Sequence, residues 1–92
     1  MGNDHHLLWL RAAVNAKTHR EIFALATELY RAETASLSVR KAARKVVKCL
    51  GDVIDLPIAN AVVLAKADRR FAALVEVVRL EANSQLVVAY GC

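Results

Sequence analysis

The stretch from Thr34 to Gly51, TASLSVRKAARKVVKCLG, holds five basic residues and no acid. It contains no proline, and its only glycine is the last residue. Wound as an α-helix at about 100° per residue, it divides into two faces. Lys41, Arg44 and Lys48 fall within roughly 60° of one another, and Arg40 and Lys45 flank them, so that all five lie within ~140°. Val39, Ala43, Val46, Leu50 and Val53 occupy the opposite side. One face is therefore free to pack while the other carries positive charge at intervals of one turn, ~5.4 Å. Like charges three and four residues apart destabilise an isolated helix, and no glutamate is interspersed to offset them.

Upstream, Asn3 or Asp4 can cap a first helix, in which Leu7, Leu10 and Val14 recur at helical spacing with Trp9 and Ala13 alongside. Thr18-His19-Arg20-Glu21 has the form of a capping box and starts a second helix at once. The intervening Asn15–Lys17 is then a tight reversal, which makes the first two helices a hairpin. From Thr18 to Leu50 there is neither Gly nor Pro, so the second helix can run to about Ile54, some 37 residues or ~55 Å. A kink or break near Thr34-Ala35-Ser36 is compatible with this, because the apolar stripe shifts there from Ile22/Leu25/Leu29 to Val39/Val46/Leu50/Val53. Pro57 ends that helix and suits the first turn of another.

Downstream, Val63, Ala67, Phe71, Leu74 and Val78 form one apolar stripe, with Asn83 as a stop. The tail Gln85–Cys92 is rich in β-prone residues. The expected organisation is one all-α domain over residues 1–83, with helices at about 4–16, 18–55 and 57–82 and a flexible or strand-like tail at 84–92.

Composition narrows the function classes. At 92 residues, with 57% apolar content drawn largely from alanine and valine, the chain is too small for a multidomain enzyme. Its alanine-rich faces bury little area each, which favours a core completed by a second copy. Thirteen Lys/Arg against nine Asp/Glu gives +4, and the acid-free segment supplies the whole excess. No span is apolar enough to cross a membrane, and no secretory leader is expected from Met1–Leu10. Met1-Gly2-Asn3 resembles a myristoylation start, but His6 stands where Ser or Thr is required. Cys49 and Cys92 make no disulfide framework, and a reducing, cytoplasmic location is expected.

No catalytic constellation is present. His5, His6 and His19 have no carboxylate or cysteine at metal-ligand spacing, and His5 and His6 read as solvated helix-start residues. Cys49 has no base within sequence reach, and Trp9 reads as core or interface. An enzyme is not expected, nor a metal, cofactor or small-molecule substrate. The candidate site is Arg40, Lys41, Arg44, Lys45 and Lys48, a stiff cationic row matched to the periodic anions of a nucleic acid. Candidate core or dimer positions are Leu7, Leu10, Val14, Val39, Val46, Leu50 and Val53. An oligomerisation or adaptor module docking an acidic protein is the competing expectation, with acidic lipid as a further anionic partner. A dimeric DNA-binding protein is disfavoured by the lack of a helix-turn-helix pattern.

The hairpin start, long basic helix and following proline resemble the small RNA-silencing suppressor of nodaviruses. The nearest local match is Lys48 to Pro57, with Leu50, Val53 and Ile54 between; Pro57–Leu64 also resembles that family's short Ala/Val-rich segment. The resemblance carries an RNA-contacting arginine onto Lys48 and a contacting lysine onto Lys41. Lys48 keeps the charge but lacks the planar guanidinium fork. Tyr30 stands where one family member has another basic contact. The resemblance implies an all-α homodimer in which two antiparallel hairpins form a four-helix bundle, laid along double-stranded RNA. It also implies a viral protein that sequesters long duplex and small interfering RNA from the host's silencing machinery.

Overall fold

Among the described residues there are four helices, α1 (Gly2–Asn15), α2 (His19–Arg31), α3 (Leu37–Gly51) and α4 (Ala61–Tyr90), the last three each started by a capping side chain, while Asn3 and Asp4, expected as caps, lie within α1. The computed structural model describes residues 2–57 and 60–90, with side chains over 6–57 and 60–83. Among the described residues there is no strand, and the fold is all-α.

Thr18 caps α2, its Oγ1 accepting from the Glu21 N–H at 3.2 Å. The Thr18 hydroxyl in turn donates to the Glu21 carboxylate, also at 3.2 Å. The helix expected over 18–55 is two helices. Ala32 leaves helical geometry at ψ 120°, ending α2. Ser36 then caps α3, its Oγ accepting from the Val39 N–H at 3.2 Å. Neither Gly nor Pro is needed for this break. Thr34 and Ser36 offer the backbone alternative partners, and the shift of stripe means that both apolar faces are buried only if the chain doubles back.

It does double back. The Phe23 ring lies beside Gly51, and Arg20 pairs with Asp55 at 3.2 Å, so α2 and α3 run antiparallel. This pair, and not α1 with its successor, is the hairpin; α1 lies mainly along α4. α4 returns antiparallel to α3, bringing Val63 to Cys49 and Glu81 to Ser36. The result is an elongated molecule of 51 × 20 × 17 Å.

The start of α4 also differs from the expected Pro57. Asn60 caps the helix, its Oδ1 accepting from the Val62 N–H at 2.8 Å. Ile58 and Ala59 lie outside the described residues. At the other end Asn83 is no stop: the backbone stays helical to Tyr90, and within Ala61–Tyr90 no residue takes left-handed geometry or lacks an N–H. The strand-like reading of 84–90 thus yields to helix propagation, while Gly91 and Cys92 lie outside the described residues.

The core joins Ile22, Leu25, Ala26 and Leu29 of α2 to Val39, Ala43, Val46 and Leu50 of α3 and to Ala67, Leu74 and Val78 of α4. Val39, Val46 and Leu50 are completely buried, and Val53 is half-buried. α1 is rotated from its expected face. Leu7 and Val14 are 45% and 72% exposed, Leu10 is half-buried, and Trp9 faces inward. The inward stripe is His6, Trp9, Ala13 and Ala16, because His6 has a partner inside.

That partner is Glu81. The buried His6 places Nε2 3.2 Å from the Glu81 carboxylate and meets the Trp9 ring edge-on, centroids 5.3 Å apart. The other Glu81 oxygen accepts from the Ser36 hydroxyl. One carboxylate thus ties α1 and α4 to the capping residue of α3. His6 is therefore not the solvated residue its position suggests.

Candidate nucleic-acid interface

Ser36 fixes where α3 starts, and Val39, Ala43, Val46 and Leu50 fix its rotation, since each is completely buried. With that face locked inward, helical geometry leaves Arg40, Lys41, Arg44, Lys45 and Lys48 outward. All five are exposed. They line a continuous run of shallow surface hollows. Tyr30, Leu37, Arg40, Lys41 and Arg44 form one end, and Lys41, Arg44, Lys45 and Lys48 form the middle.

At the other end Lys45 and Lys48 face Lys66, Arg69 and Arg70 of α4 across a trough floored by Ala42 and Ala73. Eight cations thus share one surface, and no carboxylate lines any part of it. Among the described residues the ion pairs lie elsewhere: His6–Glu81, His19–Asp68, Arg20–Asp55 and Arg79–Glu76. Arg70 is the anchored member of the set, its Nη1 donating to the Lys45 carbonyl at 3.4 Å.

The three α4 cations were missed by reasoning from local charge, because Asp68 sits among them. The signal was nonetheless present. At helical spacing Lys66, Arg69, Arg70 and Ala73 share one face and Asp68 points the opposite way. In the fold Asp68 turns to His19, 2.9 Å away.

Cys49 is half-buried, its Sγ 3.6 Å from the Val63 carbonyl, and so packs between α3 and α4 at the flank of the cationic row. No group of three metal-capable side chains occurs among the described residues. No helix among them is long and apolar enough to cross a membrane. No family model, no curated protein and no solved structure matches the chain.

Proposed function

We propose that the protein binds double-stranded RNA through its sugar–phosphate backbone without regard to sequence, and that by coating duplexes it withholds them from the host's silencing machinery. One observation carries this reading: five α3 cations stand together on an exposed face, none held in an ion pair among the described residues, backed by a helix face that is completely buried. A charge array that is uncompensated and mounted on a helix of fixed rotation suits an equally regular array of phosphates. Each contact releases condensed counterions, so the affinity comes from backbone and not from bases. A-form RNA keeps its base edges in a deep, narrow major groove, and a helix face without a reading loop is equipped for shape. The local resemblance to the nodavirus suppressor supports the same reading, since its contacting positions fall on Lys41 and Lys48, both in the cationic row.

The reading includes a homodimer. A compact chain of this mass exposes ~5,300 Å², and the protein exposes 6224 Å². The excess, about 900 Å², goes with the elongated shape of the molecule, which leaves surface open to a second copy. Leu7, Leu10 and Val14, with Arg11 and Asn15, line a shallow apolar hollow on α1 that suits such a contact.

The deciding experiment is a gel shift of the intact protein with duplex RNA, duplex DNA and single-stranded RNA of equal length. Preference for duplex RNA, independent of sequence, is expected. Equal binding of DNA duplex, or no duplex binding at physiological salt together with capture of an acidic protein, overturns the reading.

A further inference from the structure

We propose that one strand of the bound duplex lies in the trough between α3 and α4, its phosphates held from both sides, so that Lys66 and Arg69 contact the same strand as Lys45 and Lys48. This rests on the duplex-RNA reading above and extends it to a helix outside the basic segment.

Three observations converge on the trough. First, its two walls carry the cations and its floor is alanine. Ala42 and Ala73 project nothing beyond Cβ, so no side chain holds a strand away from the walls. Secondly, the walls are in register. The Arg70–Lys45 bond sets those residues abreast, and the Cys49–Val63 contact places the start of α4 beside the end of α3. Lys66 thus stands opposite Lys48, with Arg69 and Arg70 opposite Lys45. Packed helices lie ~8–10 Å apart, a span that flexible cationic side chains on both walls can close around a single strand.

Thirdly, Arg70 is positioned in advance. One guanidinium N–H is committed to the Lys45 carbonyl, and a guanidinium has five N–H donors in a fixed fork. From Lys66 to Arg70 the helix rises ~6 Å, about one turn, so the α4 cations of the trough are gathered over a short length of its wall. The outward ridge of α3 offers cations on one side only. In the trough each phosphate meets cations from both walls.

The test compares the parent with Lys66→Gln/Arg69→Gln on a ~20-base-pair RNA duplex over a series of salt concentrations; Arg70 is left in place because of its backbone bond. Two lost contacts flatten the slope of log affinity against log salt by about 1.8. Between 50 and 200 mM salt, the variant's affinity therefore falls about twelvefold less than the parent's. The charge-retaining Lys66→Arg/Arg69→Lys keeps the parental slope. Ala73→Leu raises the floor without changing charge and flattens the slope as well; circular dichroism verifies that each variant remains helical. If the parent binds duplex RNA and the glutamine variant keeps its slope, the α4 wall is not a contact. If only Ala73→Leu leaves the slope unaltered, the strand is not seated in the trough. A parent that fails to bind duplex RNA overturns the function itself.

Discussion

Replacing Lys41 and Lys48 together by alanine separates a binding role from a structural one, because the two roles move stability in opposite directions. Both side chains are exposed, and neither takes part in an ion pair among the described residues. They do repel their neighbours. Lys41 faces Arg44 and Lys45, and Lys48 faces the same two residues, all at spacings of three or four. Each such like-charge pair costs about 0.2–0.5 kcal/mol, so removing four of them should stabilise the free protein by roughly 1–2 kcal/mol at low salt. Lysine and alanine differ little in helix propensity, which leaves the repulsion as the larger effect. Binding should move the other way. At about −0.9 in slope per contact, two lost contacts are worth ~1.5 log units at 0.15 M salt relative to 1 M, a weakening of about thirtyfold. The assay is fluorescence anisotropy on a short RNA duplex at several salt concentrations, paired with thermal melts monitored by circular dichroism. A higher melting temperature with weaker, flatter-sloped binding is expected. Parental affinity and slope, or a loss of helicity in the variant, would refute the reasoning.

Three further outcomes follow from the packing. Glu81→Ala removes the acceptor shared by Ser36 and His6, and losing these two partly buried contacts between helices should cost about 1–3 kcal/mol in urea unfolding; unchanged stability would show that the cluster holds nothing together. Leu7→Asp/Val14→Asp places charge on the exposed α1 hollow and should halve the mass seen by light scattering while preserving helicity; a parent that is already monomeric refutes the proposed dimer. Gly51→Ala should stabilise by about 0.4–1 kcal/mol, since the new methyl meets only the Phe23 ring, at an ordinary 3.9 Å; destabilisation would mean that the end of α3 needs glycine.

Much of α3 was legible because both of its faces carry strong signals in the same 15 residues. Val39, Ala43, Val46 and Leu50 keep helical period, and the cations on the other side have no acid among them. The break before it was legible only as a change of stripe, since Thr34-Ala35-Ser36 lacks the usual helix breakers. The orientation of α1 was not legible. Local hydrophobicity favours Leu7 and Val14, whereas the buried stripe begins at a histidine whose partner, Glu81, is 75 positions away. A polar residue reads as solvent-facing until its partner is known. The tail failed for a related reason: side-chain preference for strands is weak against continuation of an existing helix, and a strand at 84–90 would have needed an edge to pair with.

The candidate site divides along the same line. Its α3 half is a local property of one helix, and its α4 half depends on which way Asp68 turns, which is decided by His19 from another helix. Fold and site are nevertheless one problem, because nothing on the exposed side of α3 holds the cations in place. A helix rotated by a single residue turns through about 100°, enough to carry Arg44 or Lys48 toward the core. That rotation is prevented from behind, by four completely buried side chains and by a capping serine whose hydroxyl is tied through Glu81 to α4. The mutual repulsion of the cations is therefore offset by contacts none of them makes. Such an arrangement is stable only as long as the core outweighs it, and its electrostatic cost is relieved when an anion of matching spacing arrives. Phosphates would lower the energy of the same face that the free protein holds under repulsion, so duplex binding should raise the melting temperature most at low salt, where that repulsion is least screened.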